Sequence, residues 1–149
     1  MTIDKYTFRG KFVNRSPTHR LIVHKGDLYM QMSALIIDVD YKTRLNATIA
    51  LQKLNFKEAS IVEVDAISDA KKALLTGTFS VVVSGWRIND ATARDIFEGM
   101  EAPPPALVLM SGDYDRPELQ AFAKQMGAEL IPQPIDRDVL KAAITRAMQ

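Results

Sequence analysis

Phe79-Ser80-Val81-Val82-Val83-Ser84-Gly85-Trp86 is the run on which the fold turns. Its first half is short, uncharged and β-branched, the composition of a strand covered on both faces of a parallel sheet. In an open α/β sheet, ligands and chemistry gather where strands end at their carboxyl edge. This strand delivers Ser84 and Gly85 to that edge, and neither is an acid, a metal ligand or a carboxylate nucleophile.

Working outward, strands and helices alternate. Ala34-Leu35-Ile36-Ile37 reads as a buried strand ending in Asp38-Val39-Asp40, with Asp40 beginning the helix that follows. That helix carries Ala47, Ala50, Leu51 and Leu54 at i, i+3, i+4 and i+7, and Asn55 closes it in the left-handed region. Ile61-Val62-Glu63-Val64 alternates and so lies nearer an edge. Ser68 is expected to cap the next helix, on Ala70, Ala73 and Leu74, which Gly77 stops. Beyond the central strand, Asn89 or Asp90 is expected to cap a helix whose inner stripe is Ala93, Ile96, Phe97 and Met100. Pro103-Pro104-Pro105 ends it and leads into the strand Ala106-Leu107-Val108-Leu109-Met110. Leu119, Phe122, Ala123 and Met126 place a fourth helix after Asp115-Arg116-Pro117, ended by Gly127. Leu130-Ile131 is a brief fifth strand, and Asp136 caps a last helix built on Leu140, Ala143, Ile144 and Ala147. Five β–α units with short connections predict right-handed crossovers and an α/β doubly wound parallel sheet over residues 34–149.

The 149 residues are enough for a real core. Cysteine is absent, which excludes disulfides, thiolate metal sites and cysteine nucleophiles. No apolar run approaches a membrane span and the first residues do not open a signal peptide, so a cytoplasmic protein without membrane insertion is expected.

The net charge of +1 hides an asymmetry. Residues 1–33 carry Lys5, Arg9, Lys11, Arg15, Arg20 and Lys25 against Asp4 and Asp27, a balance of +4, leaving −3 for the remainder. This basic segment reads as β, with Leu21-Ile22-Val23 and Leu28-Tyr29-Met30 as a hairpin. It contains no recognisable nucleic-acid module, so an edge hairpin whose charges discourage sheet-to-sheet pairing is preferred to a nucleic-acid arm. His19 and His24 lack a matched carboxylate and read as surface residues.

The strand ends, Leu-Ile-Ile-Asp-Val-Asp, Val-Val-Val-Ser-Gly-Trp, Leu-Val-Leu-Met-Ser-Gly and Gln-Pro-Ile, together resemble the CheY-like receiver domain of two-component response regulators, over about residues 34–149. The resemblance implies a five-stranded sheet of order 2-1-3-4-5. It also implies a divalent-cation site on two adjacent acids, of which Asp38 matches the first and Val39 replaces the second. The phosphoacceptor aspartate falls on Gly85, the active-state hydroxyl on Ser111, and the lysine that pairs with the aspartyl phosphate on Gln133. The aromatic residue that signals activation falls on Leu130. Asp38 is then the only matched metal ligand, and no cofactor is expected.

Phosphoryl transfer rests on positioning and on neutralising charge. Without nucleophile, second acid and lysine, the resemblance is to a degenerate, or pseudo-, receiver, not an enzyme. Its expected role is protein–protein interaction with a histidine kinase, a regulator or another signalling protein, or homodimerisation through helices 4 and 5. Lys124 and Lys141 are exposed candidates on those helices. Trp86, at the rim, reads equally as a partner anchor or as local packing. Arg87 is a candidate to swing toward Asp38 and fill the vacated cation position. Two alternatives stand beside this reading. One is binding of an anionic small molecule or nucleotide second messenger; the other, weaker, is phosphorylation on Asp90 or Asp113. Asp115 is expected to cap the fourth helix.

Overall fold

A computed structural model describes residues 32–149 of the chain. The hairpin expected at residues 21–30 lies outside the described residues. In chain order the elements are β1 (Ala34–Ile37), α1 (Tyr41–Lys53), a 3-10 turn (Glu58–Ser60), β2 (Ile61–Val64), α2 (Ile67–Thr76) and β3 (Val81–Gly85). Then come β4 (Arg87–Ile88), β5 (Ala91–Thr92), α3 (Arg94–Phe97), β6 (Leu107–Ser111), α4 (Pro117–Met126), β7 (Glu129–Pro132) and α5 (Arg137–Ala147). None of these helices is long and apolar enough to cross a membrane.

The main sheet runs β2-β1-β3-β6-β7, every pair parallel. Counting only these five strands, the order is the expected 2-1-3-4-5. β1, β3 and β6 are buried at every position, as their unbroken apolar runs require. β2 forms one edge, with Ile61 and Val64 half-buried and Val62 and Glu63 exposed.

Successive residues of a strand face opposite sides, and helices cover both. On one face Leu35, Ile37, Val82, Leu107 and Leu109 pack with Ile96, Phe97, Leu119 and Phe122. Trp86 joins them, its ring 5.5 Å from that of Phe122. Arg94 lies over the far side of the cluster, 4.7 Å from the Phe122 ring. On the other face α1 and α5 pack together through Ala47, Ala50, Leu51, Leu140, Ala143 and Ile144, all buried.

The helix ends follow local chemistry. Asp40 caps α1 by accepting from the Thr43 amide and hydroxyl at 3.2 and 2.9 Å. Asp136 caps α5 by accepting from the amides of Asp138 and Val139. Asn55 and Gly127 take the expected left-handed conformations, φ 74° and 66°.

Three expectations need correction. Ser68 does not cap α2, which begins two residues earlier than that cap would require, behind Ala66 with no side-chain cap. Asp115 does not cap α4 either; Arg116 holds that position and Pro117 supplies the pre-set first turn. Neither Asn89 nor Asp90 caps α3. They form the two-residue turn of a small antiparallel hairpin, β4–β5, with Asn89 at φ 55°. Asparagine tolerates that conformation, so the turn wins over the helix start. Helix α3 shrinks to four residues, with the Asp95 carboxylate reaching back to the Thr92 amide at 3.0 Å.

Phe122 touches both the central-strand exit and α3, so its truncation should cost about 3–5 kcal/mol of stability. Urea denaturation of Phe122→Ala against the unmodified chain measures this, and a loss below about 1 kcal/mol contradicts the packing described.

Candidate functional site

Register builds the site. Ile37 pairs with Ser84, Gly85 with Met110, and Ser111 with Pro132. The next residue along each strand therefore emerges on one edge, with Asp38 beside Gly85. Three amides extend the ladders past the strand ends: Asp38 donates to Val64 O at 3.1 Å, Trp86 to Met110 O at 2.8 Å, and Gln133 to Ser111 O at 2.9 Å.

Asp38 is the centre of this edge. Its side chain is almost wholly buried, the residue being 4% exposed. Oδ1 accepts from the Asp40 amide at 2.9 Å, and Oδ2 accepts from Gln133 Nε2 at 3.1 Å. Both donors are neutral. No ion pair joins Asp38 to another described residue. Burial consequently pushes its carboxyl above the usual carboxylate range, and the two hydrogen bonds offset this only in part. Asp40 behaves in the opposite way: the Thr43 hydroxyl donating to it holds its carboxyl below that range.

Gly85 explains how Asp38 fits. A Cβ built at Gly85 would stand 3.2 Å from Asp38 Cγ, and nearer still to Oδ2, inside any separation real carbon and oxygen atoms adopt. The carboxylate of Asp38 thus lies where a side chain at residue 85 would begin. Ser84, its neighbour, turns to the opposite face, is fully buried and donates its hydroxyl to Gly85 O.

A cleft of about 510 Å³ opens above this centre, walled by Asp38, Val39, Asp40, Arg87, Ser111, Asp113 and Gln133 among others. Val39 projects outward, 44% exposed, and offers no ligand atom. The Ser111 hydroxyl accepts from the Asp113 amide at 3.0 Å, and the Gln133–Pro134 bond is cis.

The edge thus gathers Asp38, Val39, Gly85, Ser111 and Gln133 within one site. The other singled-out residues fall differently. Trp86 is 8% exposed and packs on Phe122, which leaves it little surface to offer a partner. Arg87 lines the cleft but its side chain is exposed and makes no ion pair with Asp38. Leu130 lies half-buried on β7 against the core. Lys124 is exposed on α4, whereas Lys141 on α5 pairs with Asp138 at 3.5 Å. Asp90 does not reach the cleft; Asp113 does, with its carboxylate 3.5 Å from Arg116.

One residue that sequence reading missed holds the frame together. Arg44, on α1, donates to Asp38 O at 2.9 Å and pairs with Glu63 of β2 at 3.2 Å. No local motif announces it, because its partners lie six residues before it and nineteen after.

The cation that this type of edge implies does not fit these residues. Both Asp38 oxygens are engaged by N–H donors, Val39 and Gly85 supply no oxygen from a side chain, and no three acidic or histidine side chains converge among the described residues.

Comparison with solved structures identifies the architecture. A CheY-like response regulator receiver domain from Methylobacillus flagellatus matches with a TM-score of 0.63 at 19% identity, over 79% of this chain and 98% of that one. The chemotaxis response regulator CheY4 of Vibrio cholerae gives 0.65 at 17%, over 78% and 99%. Full-length FixJ from B. japonicum gives 0.65 at 24%, over 80% of this chain and 58% of that one. The fold is that of a receiver domain. No protein-family model matches the chain, and no curated protein does. The receiver fold is therefore carried by a sequence far from those of its structural neighbours.

The buried carboxyl gives this site a signed pH dependence. The folded chain holds the Asp38 proton to higher pH than the unfolded chain does. Stability from this group is full in acid and is lost as pH rises from the ordinary carboxylate range through the folded-state value. Asp38→Asn removes that dependence, and Gln133 can turn its amide to accept. Urea unfolding between acid and neutral pH should show the variant gaining on the unmodified chain as pH rises; a constant difference contradicts the account.

Proposed function

We propose that this chain is a receiver-like signalling module that works by docking to other proteins and does not accept a phosphoryl group at its central strand. The observation that carries the reading is the packing of Asp38 against Gly85. A working acceptor needs a carboxylate at the end of β3 with room for a phosphoryl group in front of it and positive charge around it. Here residue 85 has no side chain, and the neighbouring carboxylate already occupies the space. Gln133 contributes a hydrogen bond but no charge, and Val39 contributes neither.

The fold around this altered edge is well packed, which fits a domain kept for its surfaces. A histidine kinase, a response regulator or another signalling protein is the class of partner this reading implies. Faces on α4 and α5 are candidates, with Lys124 the exposed cation of α4; Arg137 and Arg146 of α5 are held by Asn46 and Glu129.

The alternative of an anionic ligand draws less support from the cleft itself. Asp38, Asp40 and Asp113 line it against Arg87, so its charge opposes an anion. Phosphorylation on a substitute is weaker still: Asp90 lies outside the cleft and Asp113 sits at its rim beside Arg116.

Incubation with a small-molecule phosphodonor and magnesium should leave the intact mass unchanged. A stoichiometric aspartyl phosphate would overturn the proposal. Gly85→Asp is expected not to restore rapid labelling, because the new side chain collides with Asp38 while Val39 and Gln133 persist. Fast magnesium-dependent labelling of that single variant would show that the edge relaxes and that these two positions matter little.

A further inference from the structure

Leu75, near the end of α2, is 86% exposed, the most exposed large apolar side chain among the described residues. It borders a groove of about 370 Å³ between α2 and α3, whose floor is Leu74, Ile96 and Met100. α3 is a single turn, and a Cβ at Gly99, just beyond it, would meet nothing within 4 Å, so the space there is open.

The rim is charged with both signs. Lys71 stands on the α2 side, and Asp95 and Glu101 on the α3 side. No ion pair joins any of the three to another described residue.

We propose that this face is a homodimer interface. A second copy of the chain sits across a two-fold axis, with each Leu75 seated in the other copy's groove. The patch itself selects this occupant. A two-fold contact lays one surface on its own reversed image, so it must present knob and hole, and both charge signs, within one patch. Leu75 beside the groove satisfies the first requirement, and Lys71 opposite Asp95 and Glu101 satisfies the second. A rim of one sign would repel its own copy. Leu75, 86% exposed, supplies the apolar area that association buries, as the anchor seated over Leu74, Ile96 and Met100. This surface is built by α2 and α3 rather than by α4 and α5, and the inference does not rest on the reading of the Asp38 cleft.

Sedimentation velocity on the full chain over a range of concentrations tests it. A reversible dimer is expected. Leu75→Asp, at a position already in solvent, should leave the circular dichroism and thermal transition unchanged while weakening the dimer at least about tenfold. Lys71→Glu and Glu101→Lys should each favour monomer, and mixing the two variants should restore a dimer, because both two-fold contacts then regain opposite signs. A monomer at every concentration overturns the proposal. So does a dimer indifferent to Leu75→Asp, which would assign association to another face. Failure of the mixture to associate overturns the two-fold arrangement.

Discussion

A buried carboxylate set against a residue that lacks a Cβ is the constraint on which the functional edge depends. The parallel register leaves no choice about the neighbourhood: Ile37 pairs with Ser84, so Asp38 must emerge beside Gly85. Any larger residue at 85 would displace the carboxylate from its place. Removing a carboxylate from water without a counter-ion is costly, and the two N–H donors from Asp40 and Gln133 only partly offset that cost. Glycine, glutamine and aspartate at these three positions are therefore one arrangement. Each is explained by the other two.

That arrangement changes what the edge can do. A phosphoryl-transfer site gathers positive charge around an acid that projects into an open cavity. Here the acid is tucked into the sheet end, its partner is neutral, and the open space begins above it. The cleft that remains is bounded by three carboxylates and Arg87. The register brings these side chains to one edge, and on the proposed reading they pack there instead of reacting.

The core holds this arrangement in place. β1, β3 and β6 are buried along their whole lengths, and α1 with α5 closes one face while α3, α4 and the Trp86–Phe122 contact close the other. Arg44 ties Asp38 O to the edge strand through Glu63. None of these contacts requires a ligand at the cleft.

The sequence by itself determined the strands, the helices and their order, because unbroken apolar runs and the 3.6-residue stripes have few alternative readings. It also marked the edge: Asp38, Val39, Gly85, Ser111 and Gln133 stand at strand exits, which a parallel sheet must bring together. It misjudged residues 86–97, where a helical stripe on Ala93, Ile96 and Phe97 is genuine but Asn89-Asp90 turns a hairpin first. Local propensity could not weigh one against the other. Only the tertiary structure decided that Trp86 packs inward, that Arg44 bridges two strands, and that Asp38 occupies the space at Gly85. Those facts depend on distances between residues on different elements, up to 47 positions apart for Asp38 and Gly85, and such distances exist only once the strands are in register.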